Sequence, residues 1–146
     1  MRHQSNLRAK AGWILAAALL VAAFHAREAA AACVPDATTA CLIGGRYRVT
    51  SHWQNQYAGG EVRTLFATKR TDTTAAFWLY DPNTYEYLIR INTATDNGRA
   101  WISIPMFTDV EFWVAVTDTV NSQYYEYHSP PGNRTLIYDP NFFVYP

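Results

Sequence analysis

Val110-Glu111-Phe112-Trp113-Val114-Ala115-Val116-Thr117 is the stretch that decides how this chain folds. Val110, Phe112, Val114 and Val116 fall on one side of an extended backbone, with Glu111, Trp113, Ala115 and Thr117 on the other. Alternation with a period of two marks a strand with one face buried, because successive side chains of a strand point to opposite faces. Outward from this segment the pattern recurs. Tyr47, Val49 and Trp53 alternate with Arg46, Arg48 and His52, with Ser51 the polar exception on the apolar side, and Glu86 and Arg90 stand opposite Tyr85, Tyr87, Ile89 and Ile91. Less regular strands are expected near 61–69, 75–80, 99–104, 123–128 and 135–139. Turn chemistry separates them at Gly59-Gly60, Asp81-Pro82-Asn83, Asp96-Asn97-Gly98, Asn121-Ser122 and Pro130-Pro131-Gly132-Asn133. Asn97-Gly98 is the best hairpin signal, since both residues tolerate positive φ. No apolar face with helical spacing emerges. The fold expected is all-β: one antiparallel β-sandwich of Ig-like character with about seven or eight strands, or a small barrel.

The first 32 residues read as an address rather than as part of that fold. Arg2, Arg8 and Lys10 precede a 14-residue apolar run, Ala11 to Phe24, which is too short to span a bilayer as a helix. Small residues follow, and cleavage after Ala31 or Ala32 satisfies the −3, −1 rule of a secretory signal peptide. The rival is an uncleaved anchor. The domain expected is residues 33–146, exported to the periplasm or outside the cell, with no membrane span in the mature chain.

The 146-residue precursor has 12 basic and 12 acidic residues; without the leader, eight basic and eleven acidic remain. A mildly acidic domain has no charge with which to seek nucleic acid or anionic lipid. Aromatic residues make up 15% of the chain, enough apolar surface to argue against disorder. Cys33 and Cys41 stand close together at the start of the mature region, where an oxidising compartment favours one small disulfide loop. Cleavage after Ala32 would alternatively expose Cys33 as a lipidated first residue. Two cysteines make no Cys-rich zinc site, and no metal or cofactor is expected.

Catalytic signals are sparse. His52 alternates with Trp53 and reads as a solvated surface residue, and His128 before Ser129-Pro130 reads as loop surface. Neither stands in a nucleophile motif. Asp81, Glu86, Asp96, Asp118 and Asp139 are scattered among turns, where Asp makes turns without chemistry. Asp81-Pro82-Asn83 and Thr117-Asp118-Thr119 lack the density of acids that a calcium loop shows. Asn133-Arg134-Thr135 matches a glycosylation sequon. Aromatic excess remains. Trp113, Trp78 and Tyr124 are the candidate ligand-binding residues, because rings on an outer sheet face stack on sugars or fill a partner's pocket.

Cys41-Leu42, Gly45-Arg46-Tyr47-Arg48-Val49, Trp53, Phe77-Trp78, Pro82, Glu86, Trp101, Thr108-Asp109-Val110, Val116-Thr117-Asp118-Thr119, Tyr127, Pro130, Asp139 and Phe142 form a wider pattern. In it the chain resembles a small domain recurring in exported proteins of bacteria such as myxobacteria and acidobacteria, over about Cys33 to Phe143. It departs at Thr84, at Leu79 and Tyr80, and in lacking a cysteine common after the Asp96 region. That last departure supports Cys33–Cys41 as the one bridge. The resemblance implies a β-sandwich and brings no catalytic residues. The function expected is a non-catalytic binding or accessory module for an extracellular protein, surface component or glycan. A structural envelope or surface-assembly protein is the alternative, and a small secreted hydrolase the third.

Overall fold

The computed structural model describes residues 32–57, 59–93 and 98–143, so residues 1–31 of the expected 1–32 leader, Asn97 of the expected hairpin and the last three residues lie outside it. The described residues contain strands and no helix. In chain order these are β1 Thr39–Leu42, β2 Tyr47–Gln54, β3 Val62–Thr64, β4 Phe66–Lys69, β5 Thr74–Trp78, β6 Tyr87–Asn92, β7 Trp101–Ile104, β8 Glu111–Asp118, β9 Tyr124–Ser129 and β10 Ile137–Asp139.

They form two five-stranded antiparallel sheets packed as a sandwich. The first runs β1-β2-β8-β9, with β1 and β3 sharing one edge of β2 end to end. The second runs β10-β7-β6-β5-β4. Ten strands replace the eight expected for two reasons. Thr39–Leu42 pairs with β2 although it is too short to show a period, and the single segment 61–69 divides at Leu65 between the two sheets. The fully buried Leu65 donates its amide to Ser51 of the first sheet, 3.0 Å, before the chain joins β5 of the second.

The decisive alternation is realised as read: Phe112, Val114 and Val116 are wholly buried, while Glu111, Trp113, Ala115 and Thr117 are half-buried on the outer face. Opposite them lie Ala75, Phe77, Tyr87, Ile89, Ile91, Ile102 and Ile104 of the second sheet. A parallel stack, Phe77–Tyr87–Phe112, bridges the sheets with ring centroids 5.0 and 4.6 Å apart. Burying each such side chain contributes roughly 1.5–3 kcal/mol. Phe142 and Phe143 close the core beside Tyr47, and the Phe143 carbonyl accepts the Ala100 amide, which pins the carboxy-terminal segment as its apolar sequence suggests.

Several polar groups inside are matched to partners, while the buried Trp53 Nε1 and Tyr87 hydroxyl have no hydrogen-bond partner among the described residues. Ser51, the polar exception on the apolar face of β2, is buried and donates its hydroxyl to the Trp113 carbonyl, 2.7 Å. Asp118 is fully buried rather than poised for calcium: Oδ2 accepts Nε and Nη2 of Arg46, 3.0 and 2.8 Å, and Oδ1 accepts the Val120 amide. At the same end, the β1–β2 turn locks onto the β4–β5 turn, since Ile43 and Gly44 donate their amides to Asp72. Gly44 and Gly45 adopt φ of 62° and 87°, values glycine takes without strain. The Cys33–Cys41 disulfide is formed, with Cα atoms 5.7 Å apart, and ties the amino-terminal segment to β1.

Candidate functional site

The two outer faces are chemically different. On the first sheet, register sets His52 of β2 beside Trp113 of β8, and Trp113 beside His128 of β9. Three rings therefore stack in a row, with centroids 4.9 and 4.6 Å apart and both interplanar angles at 10°. His128 Nε2 meets Glu111 Oε1 at 2.9 Å. His128 thus lies within a strand rather than a loop, and His52 is half-buried against Trp113 rather than simply solvated. Among the described residues neither imidazole bonds a hydroxyl or thiol. Trp113, whose outward position the alternation predicts, has both π faces covered and presents only its edge.

Tyr124 lies farther along this face, opposite Thr117, and is exposed. Its hydroxyl donates to Glu126, 2.6 Å, and that bond, followed by burial, raises the phenol above its usual range. Trp113 is four residues along β8 from Thr117, so roughly 13 Å separates the two rungs. Trp78 is on the other sheet altogether. The three aromatic candidates do not converge on one site.

The outer face of the second sheet carries a denser aromatic array. Trp78 stacks on Phe66, centroids 4.4 Å apart, and its Nε1 donates to Thr68. Across the sheet, Trp101 lies 6.0 Å from Tyr138, which is exposed. Between these pairs sit Thr74, Leu88 and Ser103, and at the margins stand exposed Phe107 and Leu136. Two arginines complete the face. The Arg90 guanidinium lies 5.7 Å from the Trp101 ring and that of Arg70 lies 5.5 Å from the Tyr85 ring. Sequence reading singled out Trp78 here and missed Phe66, Tyr138, Arg70 and the roles of Arg90 and Trp101. Their signal was the run of outward positions on five neighbouring strands, which only the pairing order makes adjacent.

Two clefts accompany these faces. One of about 350 Å³ opens beside Phe66 and is lined by Trp53, Arg63, Thr64, Leu79 and Tyr80. The other, about 480 Å³ and broadly open, lies between the amino-terminal segment and the first sheet, near Asp36, Arg48 and Thr117. Among the described residues no three His, Cys, Asp or Glu side chains gather as a metal site, and no helix is long and apolar enough to cross a membrane. No protein family matches the chain, and neither does any curated protein or solved structure.

Proposed function

We propose that this is an exported, non-catalytic recognition module whose working surface is the outer face of the second sheet, and that it binds a glycan or other extracellular surface component. One observation carries the reading: the contrast between the two outer faces. The first sheet stacks Trp113 between its own imidazoles and exposes Tyr124 apart from it, whereas the second presents Phe66, Trp78, Trp101 and Tyr138 beside arginines. Large exposed apolar patches mark interaction sites, and Trp, Tyr and Arg are the residues enriched where binding energy concentrates. The disulfide is consistent with an oxidising compartment.

A glycan array probed with the wild type, Trp101→Ala and Tyr138→Ala tests this, with Trp113→Ala as the control outside the surface. Binding weakened by the first two and retained by the third supports the reading. Binding that follows Trp113 alone would refute it.

Assembly is the second reading, favoured by β9, whose six residues end the first sheet with one side unpaired among the described strands. Concentration-dependent association abolished by a proline at Glu126 would favour it.

A further inference from the structure

We infer that the ligand of the second sheet's outer face is an acidic polysaccharide whose sugar rings carry carboxylates; this deepens the reading above and rests on it. Three observations converge.

The first is charge. Elsewhere four cations sit on carboxylates, Arg46 on Asp118, Arg63 on Glu61, Lys69 on Asp72 and Arg134 on Asp109, while Arg48 on the first sheet forms no ion pair among the described residues. Arg70 and Arg90 are exposed and, among the described residues, meet aromatic rings and no carboxylate. A guanidinium over a ring keeps its outward N–H groups for an incoming anion, and its planar fork matches a carboxylate. β6 holds no acid, and Glu86 stands just before it, four residues from Arg90. The chain has no basic excess for a polyphosphate, which leaves a sparser anion as the match.

The second is spacing. Arg70, Thr74, Arg90, Ser103 and Tyr138 form one rung across the sheet, through the Arg70 amide on the Thr74 carbonyl and three register pairs. Arg70 and Arg90 are two strands apart, about 10 Å at the backbone. Two sugar units of an extended chain span a similar distance, and in a two-fold chain alternate carboxylates face the same side.

The third is the kind of surface. Backbone groups in the middle of this face are committed to the sheet ladders, so a peptide could not add itself as a strand there. What the face offers is ring surface, Trp101 with Tyr138 at one end of the rung and Phe66 with Trp78 four residues along the strands from its other end, suited to the C–H faces of pyranoses.

Affinity electrophoresis and calorimetry of the full chain, expressed for export, against polygalacturonate, its methyl ester and a neutral β-glucan test the inference. Binding to polygalacturonate, lost on esterification and weakened about tenfold by Arg70→Gln or Arg90→Gln, is expected, since charged hydrogen bonds are the strong ones. These exposed substitutions should leave thermal unfolding unchanged. Binding to the neutral glucan alone, still weakened by Trp101→Ala, would overturn the acidic ligand and keep the surface. Polygalacturonate binding indifferent to Arg70, Arg90 and Trp101 would overturn both. Binding to none of the polymers, or self-association through this face, would overturn the inference.

Discussion

The rings of Trp113 and His128 lie 4.6 Å apart and within 10° of parallel, and His52 covers the opposite face of the same indole. The stack ties β2, β8 and β9 together through side chains on a surface where backbone pairing already holds them. Its role is cohesive. Trp113→Ala should cost about 1–2 kcal/mol in urea unfolding, from two cross-strand ring contacts and the area they cover, while leaving the binding proposed for the second sheet's outer face unchanged.

Asp118 holds Arg46 inside the fold, and the two side chains are 0% and 13% exposed. Removing the carboxylate breaks a largely buried ion pair, so Asp118→Ala should destabilise the domain by about 3 kcal/mol or more. Replacing both residues with apolar side chains should recover much of that loss. Denaturant midpoints of the single and double variants check the order.

Asp72 fastens the β1–β2 turn to the β4–β5 turn. The Lys69 ammonium, then the Gly44 amide, hold its carboxyl below the usual 3.8. A lowered folded value means stability that is present above the unfolded carboxyl range and lost as pH falls through the folded one. Asp72→Asn should therefore be slightly less stable than wild type at pH 7, by under about 1 kcal/mol for so exposed a pair. The two proteins should converge near pH 2. Urea midpoints from pH 7 to 2 measure this; a gap that widens in acid would contradict it.

The alkaline limb rests on tyrosines. Tyr127 donates to Asp139, 2.9 Å, and burial followed by that bond pushes its phenol far above 10.0. Tyr87, wholly buried, is shifted the same way by burial. Neutral phenols in the fold and ionising ones in the unfolded chain mean that stability is intact below about pH 10 and falls above it. Tyr127→Phe should cost about 1 kcal/mol at pH 7 and flatten the fall between pH 10 and 11, followed by circular dichroism.

Cys33 and Cys41 enclose a short loop, with a sequence separation of 8. Cys33→Ser/Cys41→Ser should lose roughly 2–3 kcal/mol, the chain-entropy cost of so small a loop, and keep the fold. Thermal unfolding with and without reductant checks it: reductant should lower the wild-type midpoint and leave the double variant unmoved.

Much of the architecture was legible because a sheet with one buried face writes its geometry into every second residue. Phe112, Val114, Val116, Tyr47 and Val49 needed nothing further. The division at Leu65 was hidden, since a strand passing between sheets keeps an extended backbone on both sides of the crossing. The His52–Trp113–His128 row was hidden for another reason. Its members are 61 and 15 residues apart, from 52 to 113 and from 113 to 128, and become neighbours only through strand order and register. The second sheet's outer face was unreadable likewise, because its aromatics come from segments with weak alternation, such as Thr74–Trp78, where Ala76 faces outward and is nevertheless buried.

Leu65 has a consequence for how the molecule comes apart. Its amide bonds Ser51 of the first sheet, and two residues later Ala67 donates to Ala37, just before β1, so one margin of the sandwich is laced shut by main chain. Neither layer can slide off or melt while the other persists without tearing this seam. Heat or force should therefore break the domain in one step, and a protease would find no half-open form to nick.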